Sequence, residues 1–328
     1  MPEPVIRVIN LKKYFPIRAG LLDVLRRRPR LYVRAVDGVT FNIHEKEIFC
    51  LAGESGCGKT TTGRTILRLI EPTSGKIFFR GEDVLSYDED ELKRFRRRAQ
   101  IIFQDPYESL NPMMTIYNIV EEPLRVHKIG NKEERYEAVM KVLEDVELKP
   151  PEAFIHRRPH ELSGGQRQRV AIARALILNP EFIVADEPVS MLDMSIRAEI
   201  LNLMLRLRDE HNLTYLFITH DLAVAKYICD RIAIMYLGKI VELGKAEEVI
   251  DNPYHPYTQA LIAAVPTPNP KEKIGDIPIR GEVPSPINIP KGCRFHPRCV
   301  YAKPACKERE PELIEVEPGH YVACLLYE

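Results

Sequence analysis

The chain has 328 residues, enough for about two domains at ~150 residues each. It carries 47 Lys and Arg against 47 Asp and Glu, with 45% hydrophobic and 29% charged residues. That balance argues against a long disordered chain and against a globally basic nucleic-acid binder. No apolar run approaches the ~18–20 residues that span a bilayer, and residues 1–15 hold no signal-peptide core. The chain is expected to stay on the cytosolic side, so that other subunits must supply any spanning helices. Seven unevenly spaced cysteines suit reduced thiols with one metal or cluster site, not a disulfide scaffold.

In chain order, short apolar runs at 47–52, 99–103, 182–185 and 215–218 predict buried strands. Helical patterns lie between them at 60–70, 167–178 and 195–210. The alternation predicts an α/β domain with a sheet covered on both faces. Residues 107–161 lack a strand signal, and 133–148 have helical spacing, so a helical subdomain is expected there. After about residue 245 prolines recur, at 253, 256, 266, 268, 270, 278, 284, 286, 290 and 297. Prolines this dense oppose long helices and central strands, so 251–328 reads as an irregular extension of a domain covering 1–250.

The run Gly53, Glu54, Ser55, Gly56, Cys57, Gly58, Lys59, Thr60 fits G-x-x-x-x-G-K-[ST] between a predicted strand and a predicted helix. Its glycines let successive backbone N–H groups face phosphate oxygens, and the helix adds its positive dipole end. Lys59 is expected on the β- and γ-phosphates of ATP and Thr60 on Mg²⁺, with Thr61 beside them. Only the backbone N–H of Cys57 is needed. About 130 residues on, a predicted strand ends in Asp186 and Glu187. Asp186 suits the outer sphere of Mg²⁺, and Glu187 suits a general base on the attacking water.

Leu162, Ser163, Gly164, Gly165 and Gln166 precede a helix and form a second phosphate-suited N-terminus. With this run the sequence resembles the ATP-binding cassette (ABC) ATPases over roughly residues 5–250. The resemblance implies a P-loop NTPase fold and a head-to-tail dimer, in which Ser163, Gly164, Gly165 and Gln166 complete the opposing cassette's site. It places Gln104 at the Q-loop and beside Mg²⁺, Asp193 in the D-loop, His220 at the switch histidine and Tyr14 against adenine. Met191 stands where the family usually has alanine. Each residue also has a plainer reading: His220 as a satisfied strand-end histidine, Gln104 as a turn residue, Tyr14 as surface or core packing.

Residues 252–258 (NPYHPYT) resemble the start of the C-terminal extension of oligopeptide/dipeptide importer ATPases, and the insertion 17–32 resembles that of the second, F-type ATPase of such systems. The resemblance implies a heterodimer with a homologous ATPase, two permeases, an extracellular solute-binding protein, and a peripheral place on the cytoplasmic face of the membrane. Peptides are the implied cargo, with short oligosaccharides the alternative. A soluble ABC ATPase of DNA repair or ribosomes is a more distant one. Arg26, Arg27, Arg28 and Arg30, and Arg94, Arg96, Arg97 and Arg98, read as solvated basic faces or as contacts to anionic headgroups or an acidic permease loop. Permease contact is implied near 104–111.

Cys293, Cys299, Cys306 and Cys324 are spaced C-x5-C-x6-C-x17-C. Four thiolates suit an iron–sulfur cluster or zinc, though the close pairing usual for zinc is missing. The arrangement resembles the [4Fe-4S] site of some peptide-importer ATPases, and unligated thiols are the third reading. His296 is a weaker candidate ligand. Cys50 and Cys229 read as small buried hydrophobes.

Overall fold

The computed structural model describes residues 3–17, 31–265 and 279–328. Its strands are β1 (Ile6–Pro16), β2 (Tyr32–Ile43), β3 (Ile48–Ala52), β4 (Ser74–Phe79), β5 (Glu82–Asp83), β6 (Ala99–Ile102), β7 (Phe182–Asp186), β8 (Thr214–Thr219), β9 (Arg231–Tyr236), β10 (Lys239–Lys245), β11 (Ile314–Glu317) and β12 (His320–Val322). Its helices are α1 (Lys59–Ile66), α2 (Glu89–Arg98), α3 (Pro106–Ser109), α4 (Ile116–Val126), α5 (Lys132–Asp145), α6 (Gly164–Leu176), α7 (Met194–His211), α8 (Leu222–Ile228), α9 (Ala246–Asp251) and α10 (Pro256–Ala263). Two compact units emerge. One holds residues 3–5, 43–48 and 86–218; the other holds the described residues of 6–42, 49–85 and 219–328.

In the first unit β6, β7 and β8 pair in parallel, with Ala99 opposite Phe182 and Val184 opposite Leu216. Every residue of β7 and β8 is buried, which is why they read as continuous apolar runs without alternation. Between β6 and β7 lie α3 to α6, so the stretch with no strand signal is helical. The N-caps Asn131 and Ser163 each form a reciprocal capping box, with Glu134 and Gln166 respectively. Helix α2 begins with Glu89, Asp90 and Glu91 and ends with Arg96, Arg97 and Arg98, complementing its dipole at both ends. Arg98 pairs with Glu181 at 2.6 Å. This part of the basic patch therefore has a helix-terminal role.

In the second unit β3 runs parallel to β9, and β9 turns back into antiparallel β10. A separate antiparallel sheet has the order β2-β1-β4-β5. The sequence gives no clear sign of this sheet, because its strands are half exposed and mix charged with apolar residues. Helix α1 stops at Ile66, earlier than the apolar spacing to residue 70 suggests. Arg68 there adopts a left-handed φ of 49°. The insertion is closed at its base by the Ile17 N–H on the Leu31 carbonyl, 2.9 Å. Arg26, Arg27, Arg28 and Arg30, and the prolines at 266, 268, 270 and 278, lie outside the described residues.

The extension is more regular than its prolines suggest. Pro256 opens α10 in the first turn, where a missing N–H costs nothing. Strand β12 pairs with β10, and β11 pairs with β12, so a hairpin prolongs the sheet of this unit. A buried carboxylate ties these pieces together. Glu242 in β10 accepts from the backbone N–H groups of Tyr254 (2.7 Å) and His255 (3.0 Å) and lies 2.8 Å from His320 Nε2 of β12. The local core is Tyr236, Tyr257 and Phe295, with ring centroids 4.7–5.4 Å apart.

Candidate nucleotide site

The phosphate loop leaves the buried strand β3 and ends in α1. Two of its glycines are required by space as well as by conformation. Gly53 has φ 145°, and a Cβ there would lie 2.3 Å from the Met235 carbonyl oxygen. Gly58 has φ 111°, and a Cβ would lie 2.1 Å from the Ala35 carbonyl oxygen. Gly56, at φ 79°, faces open space, so its requirement is conformational. Lys59 is buried, and its Nζ donates to the carbonyls of Gly53 (2.7 Å) and Glu54 (3.1 Å). The ammonium is thus held inside the loop by the loop's own backbone. Thr60 and Thr61 follow in the first turn of α1, both half-buried, and Ser55 is exposed.

Cys57 does more than lend a backbone N–H. Its side chain is buried under the loop, and Gly238 N–H donates to its carbonyl at 2.9 Å. Burial pushes its thiol up.

Also in the second unit, the Tyr14 hydroxyl donates to the Asp37 carboxylate. Burial and this hydrogen bond push the Tyr14 hydroxyl up to about 12. Arg294 of the extension reaches the same carboxylate and the Leu237 carbonyl. His220 follows β8 and is exposed, while Asp221 caps α8.

In the first unit, β7 carries the buried Asp186 at its C-terminal edge, and the chain turns at Glu187 with a left-handed φ of 48°. Such a conformation costs on the order of 1–3 kcal/mol for a residue with a Cβ and persists only where its surroundings fix it. Here Glu187 N–H donates to the Ile218 carbonyl (3.0 Å). Its own carbonyl accepts from the Ser190 N–H (3.2 Å) and hydroxyl (3.0 Å). The carboxylate is aimed by Gln104, whose Nε2 donates to Oε2 at 2.9 Å. The two residues proposed for the attacking water and its metal thus meet directly.

Ser163 is exposed as the N-cap of α6. Gly164 and Gly165 begin that helix. A Cβ on Gly165 would lie 2.6 Å from Ile196 Cγ2, so glycine here permits α6 to approach α7. Asp193, exposed, occupies the N-cap position of α7 without a side-chain capping bond, beside exposed Met191 and Met194. Met191, the departure from the family pattern, therefore occupies surface and displaces nothing.

The chain matches the ABC transporter family over residues 36–190 and the C-terminal region of oligopeptide/dipeptide transporters over residues 241–306. It is 51% identical over 328 residues to the oligopeptide transport ATP-binding protein AppF of Bacillus subtilis, covering 99% of this chain and 98% of that protein. The chain belongs to the ABC transporter family. The dipeptide transport ATP-binding protein DppF of Haemophilus influenzae is 46% identical over 321 residues, 98% of this chain and 96% of that protein. Among solved structures, the dimeric post-hydrolysis state of the ATP-binding cassette MJ0796 bound to ADP and Pi is 34% identical with a TM-score of 0.63. It covers 74% of this chain and 98% of that one. Among the described residues no helix is long and apolar enough to cross a membrane.

For an ABC ATPase the residues sequence reasoning missed are those of the extension that reach the loop. Arg298 pairs with Glu54 in a two-pronged ion pair (2.7 and 3.0 Å), and the Tyr257 hydroxyl accepts the Glu54 N–H at 2.9 Å. The signal available was the run 293–299 (CRFHPRC), whose arginines were overlooked beside its cysteines.

The cysteines of that run lie near two others of the extension. Cys293, Cys306 and Cys324 are buried and Cys299 is half-buried. Burial first, and neighbouring thiols second, push Cys293 and Cys324 up to about 11. The four are thus neighbours, and Cys293 N–H donates to the Cys306 carbonyl at 2.9 Å. Yet among the described residues no group of three or more His, Cys, Asp or Glu side chains is drawn together tightly enough to hold a metal ion. His296 is turned to the backbone, with Nδ1 2.8 Å from the Cys293 carbonyl oxygen.

Proposed function

We propose that this chain is the ATP-hydrolysing subunit of an importer of short peptides. The match of residues 241–306 to the oligopeptide/dipeptide transporter C-terminal region carries that reading, since an ABC cassette alone could drive many kinds of transport. The relatives named as oligopeptide and dipeptide transport ATP-binding proteins supply the class of cargo. The chain would act from the cytoplasmic face with a homologous second ATPase, two permeases and an extracellular solute-binding protein. Tyr107 in α3 and Met113 after it, both strongly exposed, suit the permease contact.

Residue roles follow from the chemistry of each group. The loop amides of Gly53 to Thr60 and the Lys59 ammonium would hold the β- and γ-phosphates, and Tyr14 would stack on adenine. Mg²⁺ entering with ATP would neutralise phosphate charge, with Thr60, Gln104 and Asp186 as the residues to hold it. Gln104 orients Glu187, which takes a proton from the attacking water. His220 would serve as the switch histidine. The exposed cap of α6, Ser163 with Gly164, Gly165 and Gln166, is available to the nucleotide of a second cassette, and Asp193 to the same junction. Catalysis is positioning and electrostatics, without a covalent intermediate. The domain 1–250 would be the motor and 251–328 its importer-specific extension.

Glu187→Gln should retain ATP binding while turnover falls by at least ~100-fold, the order expected for loss of a general base. Turnover at the wild-type rate would refute Glu187 as the base. Two permeases and a different cassette ATPase should co-purify from gently solubilised membranes. Recovery only with ribosomal or DNA-repair proteins would overturn the transport reading.

We further infer that the four cysteines hold a thiophilic cofactor, a [4Fe-4S] cluster ahead of zinc. Four neighbouring thiols support it, and loading would displace their protons. Its role would be to clamp a proline-rich segment with little core of its own. Anaerobic protein should contain iron and acid-labile sulfide; zinc without iron, or neither metal, would defeat the cluster.

A further inference from the structure

Glu54 is the second residue of the phosphate loop, and it faces two ways. Its carbonyl accepts from Lys59 Nζ (3.1 Å) and from the Cys57 N–H (3.3 Å), both within the loop. Its N–H and its carboxylate are both taken by the extension. Tyr257 Oη accepts the first at 2.9 Å, and Arg298 Nη1 and Nη2 donate to the second at 2.7 and 3.0 Å. A single residue thus carries the position of the extension into the hydrogen bonds of the catalytic lysine.

Both anchors are rigidly held. Arg298 is only 6% exposed. Its N–H donates to the Phe295 carbonyl and its own carbonyl accepts from Arg280 N–H, each at 2.9 Å. Its guanidinium lies 5.9 Å from the Tyr236 ring centroid. Tyr257 is fully buried against Tyr236 and Phe295. Planar two-pronged pairing fixes orientation as well as distance, which a lysine could not reproduce.

The rest of the loop is not packed against the extension in the same way. Glu54, Ser55, Gly56 and Cys57 line a cavity of about 230 Å³ together with Val283, Pro284, Ser285 and Pro286. The loop therefore borders open volume there, and its hydrogen bonds to the extension run through Glu54. A loop that must present several amides to phosphate at once binds more tightly when it is held in place beforehand.

We propose that the C-terminal extension sets this chain's affinity for ATP, through Arg298 and Tyr257 as positioning residues for the phosphate loop. The inference rests on the ATP-binding role of that loop. A purely structural staple would lower thermal stability when cut and leave nucleotide affinity unchanged.

The test is a double-mutant cycle on the full chain, with Kd for MgATP read by displacement of a fluorescent ATP analogue and thermal midpoints recorded alongside. Arg298→Ala should weaken MgATP binding about tenfold, within the range of couplings between sites. Glu54→Gln should weaken it similarly, the double variant should be no worse than either, and Arg298→Lys should recover part of the loss. Tyr257→Phe, which keeps the ring and deletes the hydroxyl, should weaken binding by a smaller factor. Unchanged Kd in Arg298→Ala, with or without a lowered midpoint, would overturn the proposal, as would additive single effects. Lys59→Ala separates the two readings. Wild-type protein that binds no better than Lys59→Ala defeats the ATP reading itself. A wild type that binds, beside an Arg298→Ala equal to it, defeats only the role of the extension.

Discussion

The phosphate loop and the C-terminal extension share one unit, but different means hold them. The loop is specified by backbone conformation: Gly53 and Gly58 sit at positive φ with carbonyl oxygens where a Cβ would be. Those demands fall on residues five apart in sequence, so a short pattern states them. The extension is specified by side chains that meet across long separations. Arg298 reaches Glu54 across 244 residues, Arg294 reaches Asp37 across 257, and His320 reaches Glu242 across 78. The first kind of order survives as a motif; the second leaves only isolated polar residues whose partners cannot be named from the chain.

If that contrast is right, the most damaging single change in this unit is a methyl group in the loop. Gly58→Ala places a Cβ 2.1 Å from the Ala35 carbonyl at a φ of 111°. Backbone strain alone costs on the order of 1–3 kcal/mol, and relieving the clash must displace the loop from β2. MgATP binding should fall by roughly 100-fold or more, a loss of about 2.7 kcal/mol. Gly56→Ala, facing open space, should lose much less. Equal losses would mean that close approach does not distinguish the two glycines.

The extension should break through a polar deletion. Removing the Glu242 carboxylate leaves two backbone N–H groups and the buried His320 ring without their acceptor. Each such loss costs about 1–3 kcal/mol, and truncating a buried pair about 3–5 in all. Glu242→Ala should therefore lower the denaturation midpoint strongly, with Glu242→Gln intermediate because it keeps one acceptor. A neutral Glu242→Ala would mean that the hairpin is held by packing alone.

Much of the first unit was readable because its signals are local. The buried strands ending at Asp186 and Thr219 are continuous apolar runs, and the cap Ser163 with Gln166 three residues on is a recognisable helix start. Gln104 was singled out from its motif, but its bond to Glu187 was not readable, since 83 residues separate them. The sheet of β1, β2, β4 and β5 escaped notice because its strands are partly exposed. The hairpin β11–β12 escaped because the dense prolines upstream suggested disorder of pattern throughout. Four cysteines at one end invited a metal, but which of them come near one another is decided by backbone packing that spacing does not encode.

Acid provides the mildest probe of the same contrast. His255 is the N-cap of α10, and its Nδ1 must be unprotonated to accept the Tyr257 N–H at 3.0 Å. Burial lowers its pKa to about 3, against 6.5 when unfolded. The folded state therefore binds fewer protons than the unfolded chain below pH 6.5. Its contribution is fully present above that value and is lost as pH falls toward 3, by up to about 1.4 kcal/mol per pH unit. The Glu242 carboxylate, which takes the His255 N–H, and His320 beside it are the ionisable neighbours. Since both remain in His255→Asn, which can still cap the helix, they largely cancel when the two proteins are compared. Urea midpoints should show His255→Asn less stable at pH 7.5, with the gap narrowing by about 2 kcal/mol at pH 5. A gap that stays constant over this range would show that the histidine is exposed to protons in the folded state, and that the extension is looser than the loop it anchors.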